Sequence, residues 1–254
     1  MSRSNTPKVL VVIPARYAST RFPGKMIAPI AGKPLVVHTY ERARRAALAS
    51  EVLVAIDDAR IGEAIRPHGV PFVMTRPDHP SGTDRIAEVA AGSDADLIVN
   101  VQGDEPLIDS SIIDATIRPL LDYPDVPMAT ARALITDPEV INNPNAVKVV
   151  CDSRGRALYF SRSPIPYIRE KRDQNARCYW LHIGIYVYRR EFLLQYAAWP
   201  VTPLERLEKL EQLRALEHGY PIAVVETHYE GVGVDSPEDL EQVRARIEAE
   251  EGRS

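Results

Sequence analysis

Four short apolar runs open the chain, and a stretch with helical spacing follows each. The runs cover residues 8–13, 52–56, 70–74 and 97–101. The helical stretches cover 34 to about 48, a short piece capped by Asp57-Asp58, then 83–91 and 110–121. Runs this short, rich in branched residues and bounded by turn formers, read as buried strands. Strands of that kind alternating with amphipathic helices predict an α/β fold with a mostly parallel, doubly wound sheet. Ligands of such sheets bind beyond the carboxyl ends of the strands, so the residues just after each run are the candidates for chemistry.

The pattern changes near Pro124. Residues 128–134, 146–150 and 157–160 are expected as strands with no helix between them, the last two joined by the turn Asp152-Ser-Arg-Gly155. Residues 162–177 are polar and interrupted by proline, which suits a loop or arm. A strand over 182–188, helices over 189–197 and 203–216, strands over 222–226 and 232–235, and a charged helix from Pro237 complete the chain. No linker separates two domains. The expected organisation is one domain over 1–254: a first half (about 8–124), a β-rich lobe or dimer arm inserted in 125–230, and a closing strand and helix (231–250).

A chain of 254 residues with net charge −4 has no broad attraction for nucleic acid, so any anion site must be built locally. Two cysteines, Cys151 and Cys178, without a CxxC pair give neither a disulfide framework nor a zinc site, and fit a reducing cytoplasm. No signal-peptide core and no run of transmembrane length is present, so no membrane role is expected.

The fourth run ends in Gln102-Gly103-Asp104-Glu105-Pro106. Gly103 permits a sharp turn and Pro106 stops the strand. Asp104 is then placed to hold a hard divalent cation such as Mg²⁺, shared with substrate phosphates. Alone, the same pair of acids also reads as a polar turn facing water. The loop expected over 14–33 is long for a compact domain, and its first part, 14–25, puts Arg16, Arg21 and Lys25 at the same sheet edge. Three cations within ten residues suit a triphosphate, with Ser19, Thr20 and backbone amides as further donors. By itself the loop reads equally well as a solvated basic turn. It is not a Walker A loop, because Met26 follows Gly24-Lys25. No GxGxxG follows the first run, which weakens a dinucleotide oxidoreductase.

After the third run, Ser81 with Asp84 fits a helix cap, which leaves Thr75, His79 and Arg85 unexplained. Small residues around Gly82 would let the backbone approach a base edge. Near the end of the chain, Asp235 with Glu238 fits a capping box. Ser236 is the better cap, placing Pro237 first and Asp239 third in the helix. Asp235 would then share one Mg²⁺ with Asp104. For a second substrate, Arg162 suits a sugar-acid carboxylate, and His182, Tyr186, Glu211 and Gln212 suit hydroxyls. Singly, each is also an ordinary surface, strand, core or helix-face residue.

Together these stretches resemble the 3-deoxy-manno-octulosonate cytidylyltransferase (CMP-Kdo synthetase) family. The resemblance rests on PARYASTRFPGK (14–25), TRPDHPSGTDR (75–85), NVQGDEP (100–106), NPNAVKVV (143–150), ALYFSR (157–162), HIGIY (182–186), PLERLEKLEQLR (203–214) and GVDSPEDLE (233–241), in order along the chain. Phe22 and Asp84 stand where Leu and Glu would be expected, and residues 164–179 match less well. The resemblance implies a nucleotidyltransferase-type fold, CTP as donor, Mg²⁺, a homodimer and a place in lipopolysaccharide biosynthesis. It implies nucleotide binding in the half over 8–124, and sugar binding and dimerisation in the lobe over 125–230. Arg16, Arg21, Lys25, Asp104 and Asp235 would be the catalytic set, with Asp104 and Asp235 on the metal. Arg16, Ser19, Arg21, Lys25, Thr75, Ser81, Gly82, Arg85 and Gln102 would hold the nucleotide. Gln102, Arg162, His182, Tyr186, Glu211 and Gln212 would line the sugar pocket. The implied reaction is attack of the anomeric hydroxyl of 3-deoxy-D-manno-octulosonate (Kdo) on the α-phosphorus of CTP, giving CMP-Kdo and pyrophosphate. Activation of 8-amino-Kdo or a sialic acid is the alternative, since these acids share the carboxylate that Arg162 would read. A non-catalytic nucleotide-binding module is the other.

Overall fold

The computed structural model describes residues 7–18, 22–170, 178–229, 231 and 233–251. The chain divides into two compact units, residues 1–114 with 231–254, and residues 115–230.

In the first unit the elements are β1 (Val9–Ala15), a hairpin of β2 (Pro29–Ile30) and β3 (Lys33–Pro34), α1 (Leu35–Ala43), β4 (Glu51–Ile56), α2 (Ala59–Ile65), β5 (Phe72–Met74), α3 (Gly82–Ala91) and β6 (Leu97–Asn100). α4 (Ser110–Asp122) runs across the unit boundary. The strands β6, β1, β4 and β5 lie side by side, all parallel. Every residue of β1 and β6 is buried, the signature of parallel strands covered on both faces. This is the sheet expected from the sequence.

α1 ends at Ala43 rather than near residue 48. The cause is distant in sequence: the Asp114 carboxylate accepts from the amides of Ala47 (2.9 Å) and Leu48 (2.8 Å), drawing them out of the helical ladder. The hairpin β2–β3 forms at the end of the stretch expected to be loop, and its last residue is Pro34, expected to open the helix.

The second unit holds β7 (Met128–Leu134), α5 (Pro138–Asn142), β8 (Lys148–Cys151), β9 (Ala157–Ser161), β10 (Trp180–Arg189), α6 (Arg190–Ala197), α7 (Pro203–Glu208), α8 (Leu213–Glu217) and β11 (Ile222–Thr227). β10 pairs antiparallel with β7 and β8, β9 antiparallel with β8, and β11 parallel with β7. Two expectations fail here. A helix, α5, does stand between β7 and β8, opened by the Asp137 side chain on the Glu139 amide (2.9 Å) with Pro138 in the first turn. The expected helix over 203–216 is broken into α7 and α8, because Lys209 adopts φ 54°. Arg214 then reaches Glu205 with two hydrogen bonds (2.8 and 2.5 Å), which hold the two short helices together.

The chain returns to the first unit from residue 231, and α9 (Pro237–Glu251) closes it. Leu240, Val243 and Ile247 form one buried stripe of α9 and join Val234 in a core with Ile30 and Leu35. The strand expected over 232–235 does not form at the described residues 233–235. Val234 instead donates one backbone hydrogen bond to the Asp104 carbonyl (2.9 Å).

Candidate active site

The carboxyl ends of β1, β4, β5 and β6 and the start of α9 carry the candidate residues of the first unit. Gly103 lies where chains cross: a Cβ there would stand 2.6 Å from the Pro14 carbonyl oxygen, so only glycine fits. Its own carbonyl accepts from the Thr39 hydroxyl (2.9 Å). The turn into Asp104 is thus fixed by β1 and α1. The loop after β1 folds back on itself, with the Gly24 amide donating to the Tyr17 carbonyl (2.9 Å) and Gly24 at φ 74°. Ser19 and Arg21 lie outside the described residues.

That fold-back delivers Lys25 to the carboxylates. Its ammonium donates to Asp104 Oδ2 (2.6 Å), to the Val234 carbonyl (2.8 Å) and to Asp235 Oδ1 (3.4 Å). The lysine side chain is 8% exposed, against 27% for Asp104 and 52% for Asp235. Asp235 is in place because Ser236 caps α9: the Asp239 amide donates to Ser236 Oγ (3.2 Å), and the Asp239 carboxylate accepts from the amides of Asp235 and Ser236 (2.9 Å each). This is the cap read from the sequence. Asp104 and Asp235, 131 positions apart, therefore converge on one cation.

A second cationic group surrounds Asp57, at the end of β4. Asp57 accepts from the Tyr17 amide (2.9 Å) through one oxygen and from Arg85 Nη2 (3.3 Å) through the other. Arg85 is fully buried and also donates to the Thr75 hydroxyl and the Arg76 carbonyl. Burial pulls its guanidinium below the ordinary arginine range; Asp57 opposes that and the nearby Arg16 adds to it. Arg16 Nη2 and Arg85 Nε are buried with no hydrogen-bond partner. These two buried donors are ones that phosphate oxygens could take up. Thr75 itself is committed to Arg85 and the Ile56 carbonyl (2.8 Å). The Ser81 hydroxyl caps α3 through the Asp84 amide (3.1 Å), and Gly82 rests 3.5 Å, at an added Cβ, from the Pro14 ring. His79 pairs with Glu88, which holds the Glu88 carboxyl below its usual range. Gln102 is half-buried at the end of β6.

In the second unit, Phe160, His182, Tyr186 and Tyr188 form a chain of ring contacts at 5.0, 5.4 and 5.9 Å. A bulge between Ile183 and Tyr186 turns this strand. Thr130 Oγ1 donates to the carbonyls of Ile185 (2.7 Å) and Ile183 (3.1 Å). His182 Nε2, 3.0 Å from that oxygen, is therefore the donor of its pair, leaving Nδ1 as the acceptor of the ring. Burial lowers His182 to about 3, so it is neutral at ordinary pH. Burial, with Tyr188 and Glu211 adding, pushes the Tyr186 hydroxyl well up. Gln212 is buried and its amide nitrogen has no partner.

Arg162 stands apart. Its guanidinium donates to the carbonyls of Glu208 (2.7 Å), Pro144 (2.9 Å) and Lys209 (3.4 Å). Beside it, Lys148 is fully buried and donates to the carbonyls of Ala146 and Arg162 (2.6 Å each) and Asn143 (3.0 Å). Burial lowers Lys148, Arg162 adds to that and Glu208 opposes it. Glu208 in turn accepts from Ser161 Oγ (2.7 Å) and the Arg162 amide (2.9 Å).

Sequence reasoning missed Asp57, Lys148 and Glu208. Asp57 had a readable signal: two acids follow β4, and capping α2 needs only Asp58, which accepts from the Arg60 amide (2.9 Å). No motif marks Lys148 or Glu208: Lys148 bonds backbone carbonyls, and Glu208 bonds groups 46 and 47 positions away.

An α/β sheet with carboxylates and basic groups gathered beyond its strand ends is the architecture of a nucleotidyltransferase, and the family described as cytidylyltransferase matches residues 10–226. A relative from Solibacter usitatus, named 3-deoxy-manno-octulosonate cytidylyltransferase, is 54% identical over 242 residues, covering 95% of each chain. One of the same name from Geobacter sulfurreducens is 54% identical and covers 94% of this chain and 99% of its own. The solved structure of CMP:2-keto-3-deoxy-manno-octonic acid synthetase complexed with CTP superposes with a TM-score of 0.90 at 44% identity, covering 96% of this chain and 99% of that one. The chain belongs to the 3-deoxy-manno-octulosonate cytidylyltransferase family.

Proposed function

We propose that this enzyme transfers CMP from CTP to the anomeric hydroxyl of Kdo, with release of pyrophosphate. The convergence of Asp104 and Asp235 on one cation at the sheet edge carries the reading. The donor set, two hard carboxylates, suits Mg²⁺. Mg²⁺ characteristically takes one or two carboxylates and completes its shell with water and substrate phosphates. Bound there, it would neutralise charge developing on the phosphoryl oxygens. Arg16, Arg21 and Lys25 hold the triphosphate, and Ser19, Thr75, Ser81, Gly82, Arg85 and Gln102 complete the nucleotide set. The paired Arg16 and Arg85, with buried donors lacking partners, support that assignment.

For the acid sugar, Gln212 brings a buried amide without a partner, His182 a neutral ring with one acceptor nitrogen, and Tyr186 a hydroxyl that stays protonated. With Glu211 they offer donors and acceptors for the hydroxyls of an octulosonate, and Arg162 supplies the charge for its carboxylate. Positioning and electrostatics account for the rate, and no protein nucleophile is needed. The enzyme works as a homodimer in the cytoplasm; both cysteines are free thiols, as a reducing compartment would keep them. No helix among the described residues is long and apolar enough to cross a membrane.

The test is pyrophosphate release from CTP with Mg²⁺, using Kdo, 8-amino-Kdo, N-acetylneuraminate or no acceptor. Release with Kdo is expected. Release only with another acid replaces the sugar, and silence with every acceptor from a protein that binds CTP overturns the reaction.

A further inference from the structure

Lys25 occupies an unexpected position for a phosphate-binding lysine. Its charge is committed to the two carboxylates and a backbone carbonyl, and it is the most deeply buried of the three side chains. We propose that Lys25 is a built-in counter-ion, one that a divalent cation must displace before the triphosphate can claim the lysine. The inference rests on the reading of Asp104 and Asp235 as the metal carboxylates.

Charge and space both oppose joint occupancy by the lysine and a divalent cation. Two carboxylates and one ammonium sum to −1, so the free protein already neutralises half of the negative charge it has gathered. A divalent cation on the same oxygens would lie within a few ångströms of the ammonium, and like charges at that range repel strongly in a partly buried site. Both cannot hold the carboxylates together. If the lysine leaves with no new partner, a buried cation is stranded, which is costly. A triphosphate removes that cost, because the ammonium exchanges carboxylate oxygens for phosphate oxygens. The four-carbon stem of lysine gives it the reach for such an exchange. The carboxylates are the more exposed partners, at 27% and 52%, so the incoming cation meets them from solvent.

Two consequences follow. Cation alone binds weakly, and cation and triphosphate strengthen each other by one common factor. Lys25 thus guards the site against idle occupation by a cation, besides holding phosphate.

The test titrates nucleotide-free protein with Mn²⁺, read by the loss of the free-ion electron paramagnetic resonance signal. Lys25→Met is expected to bind Mn²⁺ roughly tenfold tighter than the native protein, since a competing charge is gone. Equal or weaker binding overturns the proposal. A second measurement needs no variant: acetylation of the Lys25 amine, followed by mass spectrometry, is expected to speed up when saturating Mn²⁺ is added without nucleotide. An unchanged rate overturns the displacement. Asp104→Asn is run beside both, with Mn²⁺ binding measured in the presence of CTP. Loss of Mn²⁺ in Asp104→Asn, with no gain in Lys25→Met, leaves the metal carboxylates standing and removes only the displacement. Undiminished Mn²⁺ binding in Asp104→Asn removes both.

Discussion

The chain buries two lysines by opposite means. Lys25, in the first unit, is held mainly by two carboxylates that are themselves partly exposed. Lys148, in the second, is held by three backbone carbonyls and is wholly enclosed. A carboxylate can rotate away or take another cation, whereas a carbonyl fixed in a strand or turn cannot. The first lysine is therefore exchangeable and suits a working site. The second is a fixed brace that sets the path of 143–146 and of Arg162. Burial alone does not distinguish function from structure; the mobility of the partners does.

The sharpest way to break this comparison is Asp104→Asn. Turnover is expected to fall by roughly a hundredfold or more, with a smaller effect on the urea midpoint, because the asparagine oxygen can still accept from Lys25 while the charge that a metal needs is gone. Near-normal turnover with Mg²⁺ would remove Asp104 from the site. Next is Lys148→Met, expected to cost about 2–4 kcal/mol in urea unfolding as three buried carbonyls lose their donor. Lys25→Met should cost clearly less, since water can reach Asp104 and Asp235; equal losses would erase the distinction.

Arg162 tests the boundary between brace and binding group. Arg162→Ala should raise the KM for Kdo roughly tenfold and leave that for CTP nearly unchanged. Arg162→Lys should fail to restore it, because a point charge cannot serve three carbonyls in the plane of a guanidinium. A loss confined to CTP would contradict the assignment. The smallest effect concerns His182. Its folded value of about 3 lies below the ordinary 6.5, so between these values the unfolded chain binds more protons. Stability therefore rises with pH across that window and is lost on acidification. His182→Gln should remove about 1 kcal/mol of the stability lost between pH 7 and pH 5, allowing for the partial exposure of the residue.

What could be read in advance follows the range of each interaction. The runs that became β1, β4 and β6 are buried on both faces, so composition alone marks them. The Ser236 cap of α9 is settled within four residues and was legible. The end of α1 was not, because Asp114 lies far along the chain from the amides it draws off. The break between α7 and α8 depends on Lys209 adopting a left-handed conformation, for which a lysine gives no local sign. In the site, Asp104 and Asp235 were legible as acids at strand ends or caps. That Lys25 would join them depends on a loop closing through Gly24 and on the carbonyl of Val234, contacts that no spacing encodes.

The return of residues 231–254 to the first unit has a consequence for the order of synthesis. A ribosome completes β1 to β6 and the whole of the second unit before Val234, Asp235 and α9 emerge. Until then Ile30 and Leu35 lack the stripe of Leu240, Val243 and Ile247 that covers them, and Lys25 has one carboxylate rather than two. The nascent chain thus acquires its second acidic ligand in the same stroke that seals its hydrophobic core. A prematurely terminated chain would carry both defects together, exposing apolar surface for proteases to find and leaving Lys25 with a single carboxylate.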